Sequence, residues 1–219
     1  TADGLRRQAR KQSGKAAGVD GWSAAALLLL PSGFWQRLAR LWNAFLAGEP
    51  MPEFMSLCRT LGIPKDDGAG TRPLSIAPAL WRIANACVLA ALDTWLQCWA
   101  PPELCGGLKG RSPDEAHALL LAALEDAHWR ADEGAVFAAF KEDLRKAFDS
   151  IFPQLATLLF RKFGMPDELA GYLDGFYHSQ VRFCEASGAV APQPLRPTRS
   201  LLQGCALSMV GLAAVWLCG

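Results

Sequence analysis

The chain has 219 residues, 51% hydrophobic and 20% charged, with a formal net charge of +1. That balance excludes wholesale disorder and a small nucleic-acid binder that works by global charge alone, although a local basic groove stays open. Its seven cysteines are odd in number and form no Cys-x-x-Cys pair, which argues against a disulfide framework or a zinc ribbon. A reducing, intracellular setting is expected, with nucleus and cytoplasm not distinguished. The basic N-terminal stretch is not followed by the apolar core of a secretory signal. The two most apolar runs, 24–30 and 205–219, are shorter than the ~18 residues that suggest a membrane span. A soluble protein without membrane contact is expected.

In chain order, residues 3–12 read as a short helix on which Arg6, Arg7, Arg10 and Lys11 cluster. SGKAAGVDGWS (13–23) reads as a glycine-punctuated loop. Phe34, Leu38, Leu41, Trp42 and Phe45 recur at helical spacing, and GEPMP ends that helix. LCRTLGIPK and TRPLSIA flank the turn-rich DDGAG, which predicts a β-hairpin over 57–77. A long helix over about 78–98 should stop at APP, and LCGGLKGRSP (104–113) reads as extended. Pro113 and Asp114 open another helix, with Ala116, Leu119, Leu120, Ala123 and Leu124 on one face. Residues 135–141, AVFAAFK, read as a strand. Asp149 and Ser150 suit the cap of a helix that Gly164 closes. A helix over 166–177 leads to a hairpin around EASGA, and the last segment turns through Gly204 into a final helix. Strands in a meander with helices on one side predict an α+β fold.

Three places hold residues suited to phosphate or metal chemistry. Lys65 and Arg72 bracket the hairpin connection, and like charges facing across strands repel unless an anion sits between them. Taken alone, the pair reads more readily as two solvated cations on an exposed hairpin. Asp143, just past the predicted strand, could hold Mg²⁺ beside a backbone carbonyl such as that of Leu144. Phosphoryl transfer uses such carboxylates, normally on two metals about 3.5–4 Å apart. Phe148 would be a rigid wall beside a substrate, while Asp143 remains open between ligand and surface carboxylate. Asp149 is better read as a cap. In QGCALS (203–208), Gly204 permits close backbone approach and Gln203 offers both donors and acceptors. A glycine-started buried helix explains the same residues.

Taken together and in order, these stretches resemble the reverse transcriptases of non-LTR retrotransposons and, more distantly, of group II introns. GKAAGVDGWS is similar to the Gly-x-Asp-Gly block ahead of the fingers. IPKDDGAGTRPLSIAPALWRIANACV resembles the fingers hairpin and its helix, and GGLKGRSPDEAHALL the Gly-Arg-Ser block. EDLRKAFDSI resembles palm motif A and SLLQGCALS motif B. The resemblance implies a right-hand polymerase fragment: helical fingers with a β-hairpin, plus part of an antiparallel palm sheet. It implies a basic N-terminal segment and loop over 1–23, fingers over 24–130 and a partial palm over 131–219. Asp143 would be the catalytic, metal-binding aspartate, with Leu144 lending its carbonyl to Mg²⁺. Lys65 and Arg72 would grip the triphosphate of an incoming deoxynucleotide. Phe148 would exclude a 2′-hydroxyl, and Gln203 and Gly204 would contact the nascent base pair. The implied partners are an RNA template, an RNA/DNA duplex and dNTPs.

Leu108 stands where the family usually has Phe, and Ala206 and Met209 where prolines are common. Motif C, an aromatic-x-Asp-Asp hairpin, does not occur in these 219 residues; the Asp66–Asp67 pair belongs to the fingers turn. The expectation is a fragment that does not itself polymerise DNA, with the rest of palm and thumb in a longer product. The alternatives are a non-catalytic remnant that binds RNA or nucleotides, and an unrelated helical interaction protein.

Overall fold

A computed structural model describes residues 1–65, 68, 70–105, 107–139, 146–186 and 188–218. The elements in order are helices α1 (Ala2–Lys11), α2 (Ala24–Leu28) and α3 (Ser32–Leu46), then strands β1 (Leu57–Pro64) and β2 (Thr71–Ile76). Helices α4 (Ala79–Ala91), α5 (Asp93–Trp99), α6 (Pro113–Trp129), α7 (Ala147–Ser150), α8 (Pro153–Lys162) and α9 (Asp167–His178) follow. Strands β3 (Val181–Ala186) and β4 (Ala189–Val190) and helix α10 (Ala206–Cys218) complete the described chain. The fold is α+β, as the sequence predicts.

Local chemistry accounts for several helices. The hydroxyl of Thr1 accepts a hydrogen bond from the Gly4 amide and caps α1, which buries Leu5 and Ala9, half-buries Arg6 and leaves Arg7 and Arg10 exposed. On α3, Leu38, Trp42 and Phe45 are buried as the spacing predicts, but Trp35 and Ala39 complete the buried stripe, while Phe34 is half-buried and Leu41 exposed. The buried residues meet α4 and α9 in an aromatic core. Trp81 stacks on Phe176 with centroids 3.7 Å apart and on Tyr172 at 4.9 Å, and Trp42 stands edge-on to Tyr172.

The predicted helix over 78–98 is two helices, broken at Leu92. Trp95 donates through Nε1 to the Phe163 carbonyl at 2.7 Å, and Trp99 stacks on Phe163, so α5 turns to follow α8. Helix α6 forms where expected, opened by the Ser112 amide donating to Glu115 Oε2, but it buries none of its residues. Its run of alanine and leucine favours helix without packing.

The hairpin forms with β1 and β2 antiparallel, Ile63 opposite Arg72 and Arg59 opposite Ile76. The four strands run in the order β2-β1-β3-β4. β3 and β4 make the hairpin predicted around EASGA, but β3 joins β1 in parallel, so the sheet is mixed rather than antiparallel. Residues 135–139 are not in a strand, and Val136 is 87% exposed. No described strand lies alongside to take up their backbone groups, and a strand does not persist without such a partner.

Gly18, in the loop before α2, fits closely against the start of α4. A Cβ there would come to 3.0 Å of Pro78 Cα and 3.1 Å of the Ala77 carbonyl oxygen, both backbone atoms. Gly18→Ala should therefore cost about 1–3 kcal/mol, read as a lower urea midpoint with an unchanged slope. An unaltered midpoint would refute that contact.

Candidate functional site

The start of α10, the inner half of β2, the face of α4 and the end of α1 enclose a cavity of about 300 Å³. Gln203, Gly204 and Ala206 form one wall, Leu74, Ser75 and Ile76 another, and Gln12, Lys15 and Arg82 supply the polar groups. Gly204 takes φ +90°, a left-handed conformation open to glycine, and this is what turns the chain from 203 into α10. Arg82 lies one turn into α4. Its Nη2 donates to the Ala16 carbonyl at 2.6 Å, and its own carbonyl accepts from Gln12 Nε2 at 3.3 Å. Burial lowers the Arg82 pKa, and the nearby Asp20 carboxylate opposes that shift.

A second cavity of about 290 Å³ adjoins the first, sharing Ala86 and Ala206. Gln8, Lys11, Asp93 and the loop residues Gly107, Leu108 and Lys109 line it. The loop is held close: Gly107 has φ +73°, and a Cβ there would fall 2.6 Å from Met209 Cε. Among the described lining residues of the two cavities are four cations, Lys11, Lys15, Arg82 and Lys109, and one carboxylate, Asp93, while Asp20 lies near enough to Arg82 to offset part of its charge. Such a surface attracts anions, and more strongly where part of it is withdrawn from water.

Arg72, Leu74 and Ile76 alternate onto one face of β2, so Arg72 continues the cavity wall toward the hairpin tip. The Lys65 amide donates to the Gly70 carbonyl at 2.9 Å, which puts the Lys65 side chain diagonal to Arg72 on the same face. Neither cation has a hydrogen-bond or ion-pair partner among the described residues. Of the predicted site residues, Gln203 and Gly204 line the cavity, while Arg72 and Lys65 lie beyond its β2 wall, on the strand face that carries Leu74. Phe148 does not line the cavity. It is half-buried against the core, and its carbonyl accepts from the Leu201 amide at 2.8 Å. Asp143 and Leu144 lie outside the described residues.

Asp149 is not a cap. It sits within α7, and its Oδ1 accepts from Ser200 Oγ at 3.0 Å; α8 begins instead from Phe152, without a side-chain cap. Arg111, in the Gly-Arg-Ser block, donates to the carbonyls of Ala100, Pro101 and Leu104 and so closes the end of α5. Among the described residues no group of three or more His, Cys, Asp or Glu is gathered as a metal ion would require. Sequence reading did not single out Lys15, Arg82 or Lys109. Two of them lay inside the quoted glycine-rich stretches, and Arg82 lies one turn past Pro78, but their convergence exists only in three dimensions.

No protein-family model matches this sequence, and no curated protein is significantly similar to it. Among the described residues no helix is long and apolar enough to cross a membrane.

Proposed function

We propose that these residues are the fingers and first palm segment of a reverse transcriptase of the non-LTR retrotransposon type, and that they bind a deoxynucleoside triphosphate and RNA. The observation that supports this is convergence. Stretches from the beginning (Lys15), middle (Leu74, Arg82) and end (Gln203, Gly204) of the chain, each within a different family-like block, line one basic cavity. The loop of a fourth block lines the cavity adjoining it. In this reading Arg72 and Lys65 take the triphosphate oxygens, for which charge-assisted hydrogen bonds from Arg and Lys are suited. The Gln203 amide meets a base edge across Gly204. Mg²⁺ would be held by Asp143 and the Leu144 carbonyl, and would stabilise charge on the transferring phosphate. Asp149, the next carboxylate along the described chain, accepts from Ser200. In this reading the described residues supply binding and orientation.

The second reading is a non-catalytic remnant that binds RNA or nucleotides through the same cations. An aromatic-x-Asp-Asp motif, which supplies further metal-binding carboxylates in that family, separates the two readings. A transcript that continues in frame past the Gly219 codon into such a motif would decide for the first reading, and a stop there for the second.

Titration with dGTP and with a single-stranded RNA tests the shared claim. Arg72→Ala should weaken dGTP binding about tenfold, the loss of one or two charge-assisted hydrogen bonds. RNA affinity should fall steeply as salt rises, because phosphate contacts release counterions. RNA binding that ignores salt, with dGTP binding that ignores Arg72, would exclude both readings.

A further inference from the structure

A buried polar chain joins three segments that are separated in sequence. Arg182, on β3, is 6% exposed, and Ser200 is 5% exposed. Arg182 donates through Nε to Gln180 Oε1 at 2.9 Å and through Nη2 to Ser200 Oγ at 3.1 Å. The Ser200 hydroxyl has one proton, which it offers to Asp149 Oδ1 at 3.0 Å, with the Leu201 carbonyl oxygen at 3.2 Å as the other acceptor in reach. A hydroxyl thus lies between a buried cation and a carboxylate, accepting from one and donating to the other, so its orientation is determined.

The backbone on either side is fastened as well. The Ser200 amide donates to the Ile151 carbonyl and the Leu201 amide to the Phe148 carbonyl, both at 2.8 Å. Ser200 takes φ +109°, a conformation unfavourable for any residue with a Cβ. Such a conformation persists where the surroundings over-determine it, and it recurs where a functional segment must be held in one shape. A direct Arg–Asp pair would tie two segments. The interposed serine ties a third, the one that leads within a few residues into Gln203 and Gly204.

We propose that Asp149, Ser200 and Arg182 form a positioning lock, which sets the turn bearing Gln203 and Gly204 at a fixed place relative to Phe148. The lock rests on the nucleotide-binding reading for its purpose, but not for its existence. Arg182, Ser200 and Asp149 are positioning residues: none lines the cavity, and each acts through the turn.

The test uses the full 219-residue chain in four forms: wild type, Ser200→Gly, Asp149→Ala and Asp149→Asn. Ser200→Gly removes the hydroxyl while relieving the unfavourable φ, so it separates the hydrogen bonds from the strain. Asp149→Asn keeps an acceptor oxygen in place. Amide hydrogen exchange is followed at Leu201 and Cys205, with α4 and α9 as internal references, and dGTP affinity is measured in parallel. Ser200→Gly and Asp149→Ala should speed exchange at Leu201 and Cys205 about tenfold or more, leave the reference helices unchanged and weaken dGTP binding several-fold. Asp149→Asn should restore both towards wild type. Unchanged exchange in both variants overturns the lock. So does exchange that rises equally throughout the chain, which would mark a general loss of stability. Local loosening with full dGTP affinity overturns the positioning role. A wild type that does not bind dGTP overturns the functional reading instead, and the exchange result still decides whether the turn is locked.

Discussion

Trp81→Ala should lower the stability of the protein by about 3–5 kcal/mol, a large part of the roughly 5–15 kcal/mol that holds a typical domain folded. Trp81 is fully buried, and from α4 its side chain packs against rings of α3 and α9. Its indole is nearly parallel to Phe176, at an interplanar angle of 6°, and it also faces Tyr172 and Trp42. Alanine would remove the shared wall of three rings at once, and the stacked geometry adds to the loss from area alone. The surrounding helices cannot close the space without shifting α4 against α9, so a cavity term adds to the transfer term. Trp81→Phe keeps a ring in the stack and should cost clearly less. Urea unfolding followed by far-ultraviolet circular dichroism gives both values. A Trp81→Ala loss below about 1 kcal/mol would show that the stack is not a load-carrying part of the core.

A second large effect is expected from alkali. Burial pushes the Cys58 thiol up from near 9 to about 12, with the Arg182 charge working in the opposite direction. Burial likewise raises the Cys205 thiol and the phenols of Tyr172 and Tyr177, the last of which shares a hydrogen bond with Ser208 at 2.9 Å. These groups are neutral in the folded state and lose their protons more easily when unfolded. Above pH 9 the unfolded chain therefore binds fewer protons than the native one, and stability falls as pH rises. The stability tied to Cys58 is fully present below pH 9 and is lost between there and about pH 12. Each such group contributes about 1.4 kcal/mol per pH unit over its window. Denaturant midpoints at pH 8, 9, 10 and 10.5 should be level at first and then drop. Cys58→Ala should fall less steeply than wild type across that range, and equal slopes would exclude Cys58 as a source.

What could be read from sequence was what the chain decides locally. Leu38, Trp42 and Phe45 lie along the buried stripe of α3 as helical spacing requires, whereas the stripe's edge was misplaced: Trp35 is buried and Leu41 exposed. The hairpin at 57–77 was legible from DDGAG between two β-prone runs, and its pairing sets Arg72 and Lys65 on the same face as Leu74. The partners of those faces were not legible. The spacing on α6 indicates which leucines share a side, but nothing about whether anything covers them, and in the fold nothing described does. The break at Leu92 depends on Trp95 reaching the Phe163 carbonyl, a contact without a local signature. Asp149 suited a cap by residue type, yet its oxygen is taken by a serine 51 positions on. The candidate cavity was legible only as separate pieces. Gly204 and Gln203 stood out by themselves, whereas Arg82 became a wall of the same space only once α4 was laid beside α10.

The parallel pairing of β1 with β3 has a consequence for how the chain matures on the ribosome. Arg59 and Glu185, which form an ion pair across it, are 126 positions apart. When the β1–β2 hairpin leaves the exit tunnel it has no neighbour, and an isolated two-stranded hairpin is marginal in water. At roughly 5–20 residues per second, the strand that completes it arrives about 6–25 seconds later. During that interval the hairpin's open edge is available to any other extended chain nearby, which makes this the period when a chaperone would matter most.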